Sequence, residues 1–369
     1  MAKKIITALL CVVCACCLFF AWRFIKKSGV MRDYPNLEYL KSDESAQRPI
    51  YRRLTKEEKS IYTALYRGIS ERKEDIPLPI ETDGKTYSRI YCILEKQESE
   101  FFYLDSMYYT AQKIRDAKIV YKNINDPEIK QKELDGAVNA AVKGAKNIVG
   151  EENIARYLND YIVKKCRYIT GDERQFASTA YGCLVEGEAN CEGYAKAFSL
   201  LAKKMGMESI VVTGTTDKGE NHAWNQVKVN NEWFNIDVTW ADTDIEGEMR
   251  QMYFLCSDED FSKTHYADDS LFSPFPCTSN KWNYYINGDL FADTYEKAGE
   301  IVRRELKNGN GTIEIRFASP ELYKKFREEF ITEENIFRIL DETGYEYGEE
   351  VTLSLKENEQ ELCLTMLFT

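Results

Sequence analysis

Three residues of this sequence belong to side-chain types that together perform nucleophilic acyl chemistry, and they follow one another as Cys191, His222 and Asp237. In such a set a thiolate attacks a carbonyl carbon, an imidazole takes up and returns the proton, and a carboxylate fixes which ring nitrogen faces the sulfur. Each residue alone has a plainer reading. A cysteine at a helix start is commonly a small buried residue, a strand histidine is more often structural, and Asp237 could do no more than cap a turn. The combination gains weight because the local sequence places all three on one surface.

The first positioning element is a helix. Tyr194, Ala197, Phe198, Leu201 and Met205 recur at helical spacing, and Lys203, Lys204 and Gly206 close the run, which predicts an amphipathic helix with a basic last turn. Asn190 is a suitable N-cap, so Cys191 falls at the first helical position, where unsatisfied N–H groups and the helix dipole favour a thiolate. The second element is a hairpin. Residues 222–229 and 232–239 alternate, and Asn230-Asn231 suits a two-residue turn with positive φ. That turn sets Val229 opposite Glu232, Val227 opposite Phe234, Asn225 opposite Ile236 and Ala223 opposite Val238, a largely apolar face to be buried. The other face then pairs Lys228 with Trp233, Gln226 with Asn235, Trp224 with Asp237 and His222 with Thr239. His222 and Asp237 become diagonal neighbours, roughly 7–8 Å apart in backbone terms. A one-residue slip would place them on opposite faces.

With these elements in view, residues 178–242 resemble the transglutaminase-like superfamily, in particular the bacterial group of membrane-anchored, secreted or wall-associated transglutaminase- and protease-like proteins, some of them cytokinesis-protein-like. The resemblance rests on Tyr181-Gly182 and Leu184, on Cys191-Glu192-Gly193-Tyr194-Ala195-Lys196-Ala197, on His222-Ala223-Trp224-Asn225 and on Asp237-Val238-Thr239-Trp240. It implies an α+β fold with a papain-like core, in which a helix bearing the cysteine packs on an antiparallel sheet bearing the histidine and aspartate. It also implies that Cys191, His222 and Asp237 form a triad, and it makes Tyr181, Trp224 and Tyr194 candidates for lining the substrate site or oxyanion hole. Two positions depart from the family pattern: Asn190 stands where a small apolar residue is common, and Asn159-Asp160-Tyr161 replaces a frequent His-Asp-Tyr.

The rest of the 369-residue chain is read around that core. Its net charge of −12 leaves no basic surface to neutralise phosphates, which argues against nucleic acid as a partner. Lys3-Lys4, an apolar run over 5–22 and the following Arg23, Lys26 and Lys27 predict a single membrane anchor, with a lipoprotein signal at Val13-Cys14-Ala15-Cys16 as the second reading. Positive charge flanks both ends, so the extracytoplasmic placement of the catalytic domain comes from the resemblance. Outside that run no C-x-x-C pair suggests a metal site, no cofactor is expected, and Cys183 reads as a buried thiol before it reads as a redox partner of Cys191. Asp242, Asp244 and Glu246-Gly247 lack the glutamate of a calcium loop, since Tyr253 stands at the twelfth position. His265, the second of two histidines, sits in no nucleophile motif and reads as structural.

The expected organisation is an anchor or signal segment over 1–30, a tether (31–50) and N-terminal α/β region over 31–119, the transglutaminase-like domain over 120–295, and a small C-terminal α+β domain over 296–369. Thr55 and Glu58 predict a capping box at the head of a helix, and 131–167 reads as two helices with Ala137, Ala140, Ala141, Ala145 and Ile148 on one face. The expected activity is that of a membrane-anchored cysteine enzyme acting on amide bonds of a protein or peptide, cell-wall material included. It proceeds through a Cys191 thioester, with hydrolysis favoured over cross-linking. The alternative is an inactive surface module that binds peptide or glycan.

Overall fold

The computed structural model describes residues 16–21, 23, 34–170, 174–243, 250–333, 335–345, 351–359 and 361–368. Most of the expected anchor over 5–22 therefore lies outside the described residues, as do Asp244, Glu246 and Gly247 of the acidic loop. Among the described residues, no helix is long and apolar enough to cross a membrane.

The chain divides into two compact units. The first includes Leu54–Tyr91 and Asp105–Tyr121. Its helix Lys56–Ser70 opens on the expected capping box: Thr55 Oγ1 accepts from the Glu58 N–H at 3.2 Å and Glu58 Oε2 accepts from the Thr55 N–H at 2.9 Å. Its sheet runs in the order Asp75–Asp83, Lys113–Tyr121, Leu104–Tyr108. The register shifts between Pro77 and Thr82, around prolines that cannot donate to the ladder.

The second unit contains Lys41–Arg53, Cys92–Leu104 and everything from Lys122. Residues 42–50 are not a free tether. Ser42–Ala46 and Pro49–Arg53 form short helices, and Ile50 and Tyr51 are buried, as their apolar character demands. Helices α1 (Pro127–Ala145) and α2 (Glu151–Lys165) follow. The buried stripe of α1 is Leu134, Val138, Ala141 and Ala145; Ala140 is exposed, because Leu134 and Val138 set the buried face and their helical spacing continues to Ala141 and Ala145, past Ala140.

Helix α3 (Cys191–Lys204) is the centre of this unit. Asn190 caps it, its Oδ1 accepting from the N–H groups of Glu192 at 3.1 Å and Gly193 at 3.2 Å. The expected amphipathicity is not realised, since every residue from Gly193 to Ala202 is buried. Lys196 is tolerated inside because it pairs with Glu95 at 2.6 Å and Glu192 at 2.7 Å. Gly193 is required by contact: a Cβ there would stand 2.3 Å from the Ala177 carbonyl oxygen and 2.6 Å from Ala189 Cβ.

The helix packs on a four-stranded antiparallel sheet of β1 (Ser209–Thr216), β2 (Asn221–Val229), β3 (Glu232–Ile236) and β4 (His265–Ala267), in the order β3-β2-β1-β4. The β2–β3 register is the one the alternation predicts, from Asn225 opposite Ile236 to Val229 opposite Glu232. Asn230 and Asn231 both take positive φ, 50° and 69°. The ladder stops at Ile236, and Asp237 instead caps a short helix, Val238–Ala241. Asn225, fully buried, ties helix to sheet: its Nδ2 donates to the carbonyls of Ala195 (2.9 Å) in α3 and Ile210 (3.2 Å) in β1. Both faces of the hairpin are covered. Opposite α3, Trp224, Gln226 and Asn235 are buried, with Phe275 stacked on Trp233 at 4.1 Å and its N–H and carbonyl both bonded to the Gln226 amide.

Further along the same unit a second sheet runs in the order Phe291–Ala292, Thr312–Phe317, Cys363–Phe368, Leu353–Asn358. With helices Tyr295–Lys307, Pro320–Phe326 and Asn335–Thr343 it encloses a core that includes Phe317, Phe326 and Phe330.

Candidate active site

Cys191, His222 and Asp237 converge. Cys191 is half-buried at the head of α3, and it lines a cleft of about 850 Å³ with His222, Ala223, Tyr168, Asn190 and Gly214. His222 Nε2 lies 2.7 Å from Asp237 Oδ2. Cys191 lines the same cleft as His222, and with Nε2 committed to Asp237 the nitrogen left for the sulfur is Nδ1. Asp237 Oδ1 accepts from the N–H groups of Thr239 at 2.9 Å and Trp240 at 3.1 Å. Both readings of Asp237 therefore hold: it caps a turn and it pairs with the histidine.

The electrostatics follow from burial and charge. Burial alone would push the His222 imidazole down, but the charge and hydrogen bond of Asp237, with a smaller contribution from Cys191, outweigh it and hold the ring up at about 10. Burial would push the Asp237 carboxyl up, yet His222 and a second hydrogen bond from His265 hold it well below the carboxylate range. Next to Cys191, the Glu192 carboxylate meets both Lys196 and Lys96 at 2.7 Å and is held at about 2 despite its burial. Its charge is matched there, which leaves it no proton to exchange near neutrality.

These shifts set the pH dependence of folding. His222 rises from 6.5 to about 10, so its contribution is complete below pH 6.5 and is lost as pH climbs towards 10. Asp237 is depressed from 3.8, so its contribution is complete above pH 3.8 and is lost as pH falls through its folded value. Urea midpoints are expected to be flat between these limits and to decline on the alkaline side, and Asp237→Asn is expected to flatten that decline. An alkaline slope unchanged in the variant would remove His222 as its source.

The aromatic candidates lie elsewhere. Tyr181 is buried against Phe102 (5.0 Å) and Phe176 (4.8 Å), with its hydroxyl bonded to Lys130 and Glu133. Tyr194 turns inward and donates to Asp242 Oδ2 at 2.6 Å or the Cys166 carbonyl at 2.9 Å. Trp224 lies beneath His222, ring centroids 6.2 Å apart, and lines a separate cavity of about 350 Å³. None of the three lines the cleft; Tyr168 does. Cys183 is fully buried beside Cys166, its thiol pushed up by burial, and it does not line the cleft either.

The residue sequence reasoning passed over is His265. Its Nε2 lies 3.1 Å from the same Asp237 Oδ2 that His222 uses. Only its position beside Thr264, whose hydroxyl meets Nδ1 at 2.9 Å, carried a local signal. His222, Asp237 and His265 bring ligand-type atoms within 4.8 Å of one another. Both ring nitrogens already meet the carboxylate at hydrogen-bonding distances, so its charge is used by the imidazoles.

Residues 137–238 match the family model described as the transglutaminase-like superfamily. The kyphoscoliosis peptidase of Mus musculus is 26% identical over 164 residues, covering 37% of this chain and 24% of its own length. That of Homo sapiens is 24% identical over 159 residues, with the same coverage. The chain thus spans about a quarter of the length of these relatives. A TGase of known crystal structure aligns with a TM-score of 0.29 and 17% identity, over 37% of this chain and 38% of its own.

Proposed function

We propose, from a chain whose residues 137–238 belong to the transglutaminase-like superfamily, that Cys191, His222 and Asp237 work as a nucleophile, its acid–base and the group that orients it. The observation that carries this reading is His222, bonded through Nε2 to Asp237 at 2.7 Å while it lines one cleft with Cys191. Cys191 Sγ attacks the carbonyl carbon of an amide. The oxyanion collects at the start of α3, where the caps on Glu192 and Gly193 leave the Cys191 N–H as the donor to be recruited. His222 then passes its Nδ1 proton to the departing amine, leaving a thioester. An incoming water loses a proton to His222 and expels the sulfur, giving a free acid; an incoming amine would give a new amide.

Hydrolysis is the preferred outcome of this reading. The lining of the cleft includes Ser178, Asn190, Asn221 and Asp268, a polar surface that admits water to a thioester. The substrate class that fits is a protein or peptide amide. Incubation of the full chain with glutamine-containing peptides, with and without a primary amine, separates the outcomes by mass spectrometry. Free acid formed equally in both supports hydrolysis, and an amine adduct would replace it with cross-linking. No turnover of any peptide, together with saturable peptide binding, would turn the reading into that of a binding module.

A further inference from the structure

We propose that His265 is a positioning residue, holding the Asp237 carboxylate from the side away from His222 so that the triad is a four-residue chain, Cys191–His222–Asp237–His265. This inference rests on the reading of Cys191, His222 and Asp237 given above.

An imidazole is costly in this place. His265 is 3% exposed and enclosed by aromatic rings: Phe261 stacks on it at 3.9 Å, and Trp240, Trp224 and Tyr253 stand at 4.5, 5.1 and 5.3 Å. Phenylalanine or leucine would fill such a cage without a desolvation penalty; a polar ring is sustained there only by the bonds it makes. Those bonds are two. A carboxylate only accepts, so Nε2 carries the hydrogen that meets Asp237 Oδ2 at 3.1 Å, and Nδ1 is left to the Thr264 hydroxyl at 2.9 Å.

The consequence appears at Asp237. Its Oδ1 is pinned by the Thr239 and Trp240 amides, and its Oδ2 by two imidazoles. Four donors leave the carboxylate no rotational freedom, and therefore fix where the His222 ring points. Without His265, Oδ2 would be held only by the ring it is meant to orient. The titratable groups meeting His265 are Asp237, His222 and the Tyr253 phenol. The connection therefore leads from β4 to the carboxylate and on to the cleft.

The test compares His265→Phe and His265→Gln in the full chain, following iodoacetamide modification of the Cys191 peptide by mass spectrometry as a function of pH. Phenylalanine preserves the packing and removes the donor; glutamine returns an N–H to about the same place. We expect His265→Phe to slow modification at neutral pH roughly ten- to hundredfold, the scale of a misplacement of about 1 Å, and to shift the midpoint of its pH profile. His265→Gln is expected to restore the rate to within about threefold of the parent. Equal rates in the parent and His265→Phe would overturn the proposal, as would an equal loss in both variants with unchanged pH midpoints. His222→Ala serves as the reference: if it too leaves the rate unchanged, the triad reading fails, whereas a loss in His222→Ala alone removes only the role of His265.

Discussion

Cys191→Ala is expected to abolish turnover, leaving less than about one part in ten thousand of the parent rate, as for loss of the nucleophile in other triads. The same substitution is expected to leave the urea midpoint close to that of the parent. The two outcomes separate because the thiol contributes little to packing. Cys191 is half-buried at the first position of α3, where alanine is at least as good a helix former, and the cap from Asn190 does not involve its side chain. Peptide turnover and unfolding curves on one preparation check both. A variant that folds and still turns over would place the nucleophile elsewhere.

Asp237→Asn is expected to lower kcat by about 10³- to 10⁴-fold, the scale set by the same change in a serine protease triad. The swap is nearly isosteric, and an amide oxygen at the Oδ1 position can still cap Val238–Ala241, so the backbone has little reason to move. At Oδ2 an NH₂ group would instead face the Nε2 atoms of His222 and His265, donor against donor. To relieve that clash His222 must carry its proton on Nδ1 alone, and the charge that holds the ring at about 10 is gone. An imidazole that is neutral and in this tautomer cannot accept the thiol proton. Titration of the His222 ring by NMR should show its pKa fall as kcat does, and a variant within tenfold of the parent rate would refute the assigned role.

The hairpin was legible because two independent signals agreed. The alternation from Ala223 to Val229 fixed the face, Asn230-Asn231 fixed the turn, and a one-residue error in either would have separated His222 from Asp237. The helix start was legible from Asn190 for the same local reason. What could not be read was what covers these elements. The residues burying Trp224 and Gln226 come from 253–277, which have neither helical nor strand periodicity, and so the hairpin was given one buried face instead of two. His265 lies in that same stretch, 28 residues beyond Asp237, and no spacing rule links them. Tyr181 and Tyr194 escape a sequence reading for a related reason: proximity to the nucleophile does not say which way a ring points, and their hydroxyls bond Glu133 and Asp242 instead.

The Asn225 amide has a consequence for how the protein loses activity. It spans β2, the Ala195 carbonyl of α3 and the Ile210 carbonyl of β1, so nucleophile and base are carried by elements that share one buried clasp. Amide protons of the helix and of the central strands are then expected to exchange with deuterium as a single cooperative block, on one clock. Gentle warming or dilute denaturant would leave fewer competent molecules, each with its thiol-to-imidazole separation unaltered, so decline registers as a smaller active fraction and not as a slower catalyst.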